Sequence, residues 1–174
     1  AGINIEVISG AEEGRLIYNG VLHALPVKNQ KTLILDIGGG STETILGCDT
    51  SLDFIASVKL GAIRLTKKFF DDEPASQKSI SNCRSYIVGE WAPTFKRLQK
   101  LGFQTVVGTA GTIQNLAAMT LAAKDSKIPE ILNGLVVPAE ELLAVIKQIT
   151  LTPDPEVKKK MPGMDEKRAD IILA

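Results

Sequence analysis

Hydrophobic and polar positions alternate differently in the two parts of the chain, and its first residues predict a strand followed by a helix. Residues 3–8 alternate in part between apolar and polar side chains, which is typical of a short strand. Residues 12–23 then predict an amphipathic helix, with an apolar face formed by Leu16, Ile17 and Val21. The chain is therefore expected to open with a β–α unit.

Three further strands are predicted in the segment that follows. Residues 32–37 are rich in β-branched and aliphatic side chains, and residues 42–47 repeat that character after a glycine-rich turn. Residues 54–60 alternate, with Phe54 and Leu60 on the same side. Because short turns separate the three segments, we expect an antiparallel meander.

Helical periodicity dominates afterwards. Residues 63–70 predict a short helix, and residues 76–100 predict a longer one. Apolar residues recur in the longer helix at Ile80, Cys83, Ile87, Trp91, Phe95 and Leu98. We expect Trp91 in the core, and Pro93 kinks or splits this helix because proline cannot donate the helical hydrogen bond.

The last part of the chain adds one strand and several helices. Residues 105–108 predict a strand and residues 112–123 a helix. Pro138 opens a further helix, and Pro153 and Pro162 punctuate two more helical segments. This part of the chain therefore adds one strand to the three of the meander, together with several helices.

Charge and composition exclude several functions. Lys+Arg and Asp+Glu number 20 each, so the net charge is +0, and aromatic residues make up 5%. Binding to nucleic acid or to an anionic membrane requires a basic excess, and base stacking requires aromatic rings, so neither partner is expected. Any anion that the protein binds must be held by a local site.

The remaining composition points to a reduced compartment. Cys48 and Cys83 lie far apart in the sequence, which predicts two buried free thiols. His23 is the single histidine, which excludes a three-histidine zinc site. The first residues lack a signal-peptide pattern and look like a cut inside a longer protein, so we expect a cytoplasmic protein.

The sharpest chemical signal is the segment LDIGGGSTE at residues 35–43. Glycines let the backbone approach a bulky anion, so that their N–H groups can converge on phosphate oxygens. Asp36 and Glu43 flank this turn and would repel bare phosphate. Their presence is explained if a hard cation such as Mg²⁺ bridges carboxylate and phosphate. The alternative without a binding function is a glycine-rich hairpin that carries two exposed acids.

A second glycine-and-threonine turn, VGTAGTI, occupies residues 107–113 between a predicted strand and a helix. The N-terminus of a helix offers free N–H groups and a positive dipole end, which suit phosphate. Thr109 or Thr112 capping the helix is the structural alternative. Two such turns in one chain favour phosphate binding.

Two adjacent acids, Glu12 and Glu13, open the first predicted helix after Ser9 and Gly10. Acidic residues in the first turn of a helix complement the helix dipole, so a purely structural role can explain this pair. Composition alone does not distinguish that role from a catalytic one. Adjacent helical residues point about 100° apart, so only one of the two can face a cleft.

Several of these segments resemble the exopolyphosphatase / guanosine pentaphosphate phosphohydrolase family. The similarity covers nearly the whole chain in the right order and lies in residues 7–17, 36–43, 61–66, 108–117 and 162–173. It implies an α/β fold of the actin, sugar-kinase and heat-shock ATPase type, in which two ribonuclease-H-like lobes clamp phosphate and metal. The lobe would combine the antiparallel three-stranded meander with parallel strands flanked by helices. Residues 1–30 would supply the last strand and helix of the first lobe, and residues 31–174 the second lobe. The family's opening phosphate strand has no counterpart in this chain, so half of the cleft would be missing and the chain alone inactive.

The resemblance also implies roles for individual residues. Glu13 matches the general base, with Glu12 as the fallback, and Asp36 and Glu43 match the acids that hold Mg²⁺ or position water. The phosphate-binding positions would be Gly38, Gly39, Gly40, Ser41, Gly108, Thr109, Gly111 and Thr112. Arg64 lies in a family segment, where a phosphate contact and a structural ion pair are equally compatible with the sequence.

The implied activity is hydrolysis of phosphoanhydride bonds, with release of terminal phosphate from inorganic polyphosphate or guanosine pentaphosphate. We expect the full-length protein to form a homodimer. One alternative is a non-catalytic sensor of guanosine tetra- or pentaphosphate, which would keep the glycines and lose the acids. Another is a kinase of the same fold, which would release no phosphate without an acceptor.

Overall fold

The computed structural model describes residues 2, 5–71 and 75–174, which form one four-stranded sheet with helices on both faces. The strands are β1 Thr32–Ile37, β2 Thr42–Cys48, β3 Ser51–Val58 and β4 Thr105–Thr109. The helices are α1 Gly10–Ala24, α2 Ala62–Phe69, α3 Gln77–Leu101, α4 Ala110–Ala122, α5 Ala139–Leu151 and α6 Pro155–Lys158, with a 3₁₀ turn at Glu166–Arg168. Within the described ranges, no helix combines the length and the apolar character needed to cross a membrane.

The sheet has the order β3-β2-β1-β4. Strands β1, β2 and β3 pair antiparallel, and β4 runs parallel to β1, which confirms the predicted meander with an added parallel strand. The register pairs Asp36 on β1 with Glu43 on β2 and with Thr109 on β4. Three polar side chains of the predicted site therefore meet at one end of the sheet.

The core lies on both faces of the sheet because successive strand residues point to opposite sides. Ile34 and Ile45 are fully buried against α1, together with Tyr18 and Val21 of that helix. On the other face, Leu33 and Leu46 pack against Leu98 of α3. A third cluster joins α4 and α5 through Leu116, Met119, Val145 and Ile149. The α/β class is thus confirmed.

The apolar face of α1 differs from the prediction. Leu16 is 51% exposed, and the buried residues of the helix are Gly14, Tyr18 and Val21. A Cβ atom on Gly14 would lie 2.9 Å from Cγ2 of Ile55, so the helix backbone packs directly against β3 at this point. The hydroxyl of Tyr18 donates a hydrogen bond of 3.0 Å to the carbonyl of Asp49. This close approach at a glycine rotates Leu16 out of the core.

Residues 5–8, the described part of the strand predicted over residues 3–8, do not form a strand. Residues 5–8 are irregular, with Ile5 92% and Val7 100% exposed, while residues 3 and 4 lie outside the described range. A strand needs a neighbour to pair its N–H and C=O groups. Among the described residues, the sheet ends at β3 and β4, and neither pairs with this segment.

Helix α3 continues through Pro93 and is not split. Pro93 lies on the exposed side, where water can hydrate the carbonyl group that proline leaves unpaired. Trp91 is only partly buried, and its Nε1 donates a hydrogen bond of 3.2 Å to Oγ1 of Thr44. Phe95 is 48% exposed and packs on the ring of Trp91. The prediction that Phe95 belongs to the buried stripe of this helix is therefore wrong.

The two cysteines are free thiols in different environments. Cys83 is buried in the cluster that joins α2 and α3, as predicted. Cys48 is only partly buried, because it is the last residue of β2 and lies beside the tight turn to β3.

Candidate active site

Two carboxylates face each other across the first two strands at the end of the sheet. Glu43 is 1% exposed, and its Oε1 accepts a hydrogen bond of 2.7 Å from Oγ of Ser57. Asp36 is partly exposed, and its Oδ2 accepts a hydrogen bond of 2.5 Å from Oγ1 of Thr109. Each carboxylate is thus oriented by a hydroxyl from a neighbouring strand, which fixes where its second oxygen lies.

The acids of this site influence one another. Burial raises the pKa of Asp36, the hydrogen bond from Thr109 lowers it, and the charge of Glu43 raises it again, with a net increase. Although Glu13 is exposed, the desolvation that it does undergo raises its pKa, and the charges of Glu43 and Asp36 raise it further. The structure therefore brings Glu13 of α1 into the electrostatic neighbourhood of Asp36 and Glu43.

Glu12 is placed differently from Glu13. Its carboxylate accepts hydrogen bonds from Nη2 of Arg15 at 2.6 Å and from Nε of Arg15 at 3.0 Å. The hydrogen bond from Arg15 lowers the pKa of Glu12. Glu12 is therefore paired within its own helix, whereas the charges of Asp36 and Glu43 act on the pKa of Glu13.

The first glycine turn packs on the N-terminus of α2. The N–H of Gly38 donates to the carbonyl of Ser41 at 3.0 Å, which closes the turn. The carbonyls of Gly38 and Gly39 accept hydrogen bonds from the N–H groups of Ala62 and Arg64. Among the described residues, no hydrogen bond uses the N–H groups of Gly39 and Gly40, so these donors remain available for an anion.

Arg64 contacts the same turn through its side chain. Its Nε donates a hydrogen bond of 2.9 Å to the carbonyl of Gly40, and the guanidinium is exposed. This is neither of the two contacts that the sequence suggested, since the partner is a backbone carbonyl. Arg64 therefore holds the turn in place, while its remaining N–H donors face solvent.

Glycine is required at position 61 because the turn lies directly on it. A Cβ atom there would lie 2.3 Å from the carbonyl carbon of Gly39 and 2.4 Å from that of Gly40. We expect Gly61→Ala to displace the turn and to cost about 2–3 kcal/mol, as overpacking does. Thermal unfolding should show Tm lower by roughly 5–10 °C for a chain of this length.

Gly89 provides the matched control for that substitution. It lies within α3, is exposed, and would have nothing within 4 Å of an added Cβ atom. Gly89→Ala should leave Tm unchanged or raise it slightly, because alanine favours the helix by about 0.5–1 kcal/mol. An equal loss of Tm in both variants would contradict the close packing at Gly61.

The second turn joins β4 to α4. A Cβ atom on Gly108 would lie 2.5 Å from Cγ2 of Ile113, and Ala110 adopts a positive φ of 64°. Thr109 occupies the N-cap position but makes no capping bond, because its hydroxyl binds Asp36. Thr112 is buried. The N-terminus of the 13-residue helix α4 therefore lacks a side-chain cap and points its free N–H groups toward the end of the sheet.

Arg168 is a residue of this region that the sequence analysis did not single out. Its Nη2 lies 1.7 Å from where a Cβ atom on Gly111 would be, and its Nε lies 3.5 Å from Oδ2 of Asp165. A guanidinium thus covers the second turn. This contact could not be predicted from the sequence because Arg168 and Gly111 lie far apart in it. The only sequence signal was that Arg168 lies in the family-like segment at residues 162–173.

The donor set suits a hard cation held by few protein ligands. Asp36 and Glu43 each have one oxygen bound by a hydroxyl and a second oxygen left over. In the parts of the chain that the structure describes, no three His, Cys, Asp or Glu side chains are grouped to surround one ion. Mg²⁺ is commonly bound by only one or two carboxylates, with water and substrate phosphate completing its shell, so the residues present fit it.

The raised pKa of Asp36 gives a testable pH dependence of stability. A carboxyl group whose pKa is higher in the folded than in the unfolded state opposes folding once it is ionised. We therefore expect Asp36→Asn to have a higher Tm than the wild type at pH 7. The difference should vanish as the pH falls below the ordinary value of 3.8. A lower Tm of the variant at pH 7 would show that the ionised carboxylate stabilises the fold.

Two named relatives are similar in sequence to this chain. A Haemophilus influenzae protein named as an exopolyphosphatase is 34% identical over 169 residues, which are 97% of this chain and 50% of that protein. An Aliivibrio fischeri guanosine-5'-triphosphate,3'-diphosphate pyrophosphatase is 38% identical over 121 residues, 70% of this chain and 24% of that protein. The chain thus spans half or less of the length of these relatives.

Solved structures show the same architecture. An exopolyphosphatase from Cytophaga hutchinsonii superimposes with a TM-score of 0.87 at 28% identity, covering 98% of this chain and 55% of that one. A protein of Aquifex aeolicus, described as a Ppx/GppA family member, gives a TM-score of 0.79 at 27% identity, covering 99% and 54%. The fold is that of the actin-like ATPases. The profile of the Ppx/GppA phosphatase family matches residues 1–174, so the chain belongs to the Ppx/GppA phosphatase family.

Proposed function

We propose that this chain forms one wall of an active site that hydrolyses phosphoanhydride bonds. The observation that carries the proposal is the pairing of Asp36 with Glu43 at the end of the sheet where both glycine turns begin, with Glu13 near enough for their charges to raise its pKa. Acids beside anion-binding turns suit a reaction that needs a cation, a base and donors for phosphate. The substrates are inorganic polyphosphate and guanosine pentaphosphate, for which the named relatives provide support.

Asp36 and Glu43 would hold Mg²⁺ in this proposal. Mg²⁺ bound there would neutralise negative charge on the substrate phosphate. Asp36 is partly exposed and can reach an ion in the cleft, whereas Glu43 is buried and is fixed by Ser57. Their charges also raise the pKa of Glu13.

Glu13 accepts the proton of the attacking water. A general base works best when its pKa lies near the working pH, and the raised pKa of Glu13 moves it in that direction. Glu12 is the fallback, but its ion pair with Arg15 makes its carboxylate a poorer proton acceptor. In this proposal Glu13 is the base, and Glu12 is held by its ion pair with Arg15.

The two turns bind the phosphate oxygens. The N–H groups of Gly39, Gly40 and Ser41 serve one phosphate, and those of Gly111 and Thr112 at the N-terminus of α4 serve another. Fixed donors of this kind stabilise the charge on a phosphoryl group during transfer without reorganising. Gly38 and Gly108 shape the turns, and Thr109 orients Asp36.

The cellular setting follows from the same proposal. We infer a bacterial, cytoplasmic enzyme that acts in the stringent response, because the named relatives come from bacteria and one of them is named for a guanosine pentaphosphate substrate. Nucleic acid is not a partner, since the net charge is +0. We propose a homodimer for the full-length protein, which sedimentation equilibrium tests.

Release of orthophosphate tests the proposed function. The full-length protein, as its gene encodes it, is incubated with Mg²⁺ and either polyphosphate or guanosine pentaphosphate, with no phosphate acceptor present. We expect orthophosphate from at least one substrate and none after chelation with EDTA. Binding of both substrates without any release would favour the sensor, and release only with an added acceptor would favour a kinase.

A further inference from the structure

Asn115 of α4 is a buried polar side chain outside the acids and turns of the proposed site. It is 5% exposed, and its Nδ2 donates a hydrogen bond of 2.8 Å to the carbonyl of Gly163. Because a carbonyl only accepts hydrogen bonds, the amide nitrogen must face Gly163, which leaves Oδ1 without this partner. Among the described residues no donor reaches Oδ1, although it is buried. A buried acceptor without a donor destabilises a fold, so the amide at this position requires an explanation.

The bond from Asn115 joins α4 to residues 162–173, which lie far from this helix in the sequence. Gly111, Asn115 and Met119 are spaced four residues apart and therefore lie on one face of α4. Residues 162–173 pack against that face. Their Ile172 is buried in the same cluster as Met119, and their Gly163 accepts the bond from Asn115.

Glycine at position 163 permits the contact with α4. Its φ is 76°, a conformation that favours glycine. A Cβ atom there would lie 2.8 Å from the carbonyl oxygen of Ala118 and 2.8 Å from Cα of Met119. The backbone at Gly163 thus lies directly on the helix, and the amide of Asn115 fixes the direction of its carbonyl.

The same residues carry Arg168 to the second glycine turn. Its guanidinium occupies the place where a Cβ atom on Gly111 would be, so it rests on the backbone of the first turn of α4. Nε lies 3.5 Å from Oδ2 of Asp165, and the guanidinium makes no hydrogen bond among the described residues. A cation beside the positive end of a helix dipole is unfavourable, and an anion bound between the two relieves that repulsion.

We propose that Asn115 is a positioning residue, which holds Gly163 and thereby places Arg168 over the second turn. There the guanidinium contacts the phosphate that the N–H groups at the start of α4 bind. The inference rests on the proposed function, because this phosphate belongs to the substrate. Asn115 is buried one helical turn beyond Gly111 and does not itself touch phosphate. Loss of its amide donor should therefore change substrate binding only through Arg168.

A double-mutant cycle tests whether Asn115 acts through Arg168. Asn115→Leu removes the donor and the unpaired oxygen but keeps a branched side chain of similar shape, and Asn115→Ala removes the same donor without adding volume. Each is made alone and together with Arg168→Ala. The matched control is Thr120→Val, because Thr120 is 4% exposed on the same helix. Its hydroxyl donates a hydrogen bond of 2.8 Å to the carbonyl of Leu116, within α4 itself.

Affinity is measured by calorimetry on the full-length protein with Mg²⁺ and a methylene-bridged analogue of tripolyphosphate, which cannot be hydrolysed. Arg168→Ala should weaken binding about tenfold or more, because a charged hydrogen-bond donor is lost. Asn115→Leu and Asn115→Ala should each weaken it about threefold to tenfold, which is the size of effect expected between coupled residues. In the Arg168→Ala background, either substitution should change the affinity less than about twofold. Thr120→Val should match the wild type.

Other outcomes overturn the proposal. Wild-type affinity of both Asn115 variants would show that the bond to Gly163 does not position Arg168, and unchanged affinity of Arg168→Ala would show that the guanidinium does not contact phosphate. Losses that add in the double variants, or an equal loss in Thr120→Val, would reduce Asn115 to a residue of the fold alone. Because the analogue is not turned over, a protein that shows the expected pattern but releases no orthophosphate from polyphosphate would refute the proposed function alone.

Discussion

Asp36→Asn in the full-length protein should lower kcat for phosphate release by about 10³-fold or more, a loss of roughly 4 kcal/mol of transition-state stabilisation. The variant keeps an oxygen that can accept the hydrogen bond from Thr109, so the position of the side chain is preserved. It loses the charge that binds Mg²⁺, and neutralisation of phosphate charge supplies most of the catalysis in such reactions. Steady-state orthophosphate release at saturating substrate, measured across a Mg²⁺ titration, provides the comparison.

Glu43→Gln should show a similar defect, because the two carboxylates face each other across β1 and β2. Asp53→Asn is the matched control, since Asp53 lies on β3 and pairs with Lys31 at 3.0 Å, away from the turns. The control should retain wild-type kcat. Near-normal activity of both Asp36→Asn and Glu43→Gln at saturating Mg²⁺ would remove these residues from the metal site.

Glu13→Gln should abolish hydrolysis while leaving substrate affinity nearly unchanged, and Glu12→Gln should have a mild effect. A general base contributes about 10²- to 10⁴-fold, so we expect a loss of that size in kcat for Glu13→Gln. The two substitutions are chemically identical and adjacent in one helix, so each serves as the control for the other. The reverse pattern would assign proton abstraction to Glu12.

The pH profile adds a second test of Glu13. Burial and the charges of Glu43 and Asp36 raise its pKa above the ordinary value of 4.5. A base must be deprotonated to act, so kcat/KM of the wild type should fall on the acidic side at a pH above that value. Glu12→Gln should leave the acidic limb of the kcat/KM profile unchanged. The hydrogen bond from Arg15 lowers the pKa of Glu12, so this group does not titrate in the pH range of that limb. A limb that disappears in Glu12→Gln would contradict the assignment.

Sequence periodicity was sufficient to locate the four strands of the sheet, because these strands are short, alternate between apolar and polar residues, and are bounded by turns. The bounds of β1 agree with the prediction at both ends, while β3 begins earlier, at Ser51, because Asp49 adopts a positive φ of 50° in a tight turn. The orientation of α1 was not predictable in the same way. Its closest contact is made by Gly14, a residue without a side chain, so a count of apolar positions favoured Leu16 instead.

The site shows the same division between local and distant information. Both glycine turns and their acids are contiguous motifs, so their residues could be named from the sequence. The hydroxyls that orient the acids could not, because the Thr109 contact with Asp36 depends on the parallel register of β1 and β4, and Ser57 reaches Glu43 from β3. Arg168 reaches Gly111 through tertiary packing alone.

In the proposed reaction, water activated by Glu13 beside the metal-binding acids attacks the terminal phosphate. The most direct measurement follows the source of the new oxygen when the full-length protein acts on polyphosphate in ¹⁸O-labelled water with Mg²⁺. Mass spectrometry of the released orthophosphate should show a single ¹⁸O atom per molecule formed, and Glu13→Gln should form almost none. Orthophosphate without ¹⁸O, or labelled product formed equally fast by Glu13→Gln, would contradict the account.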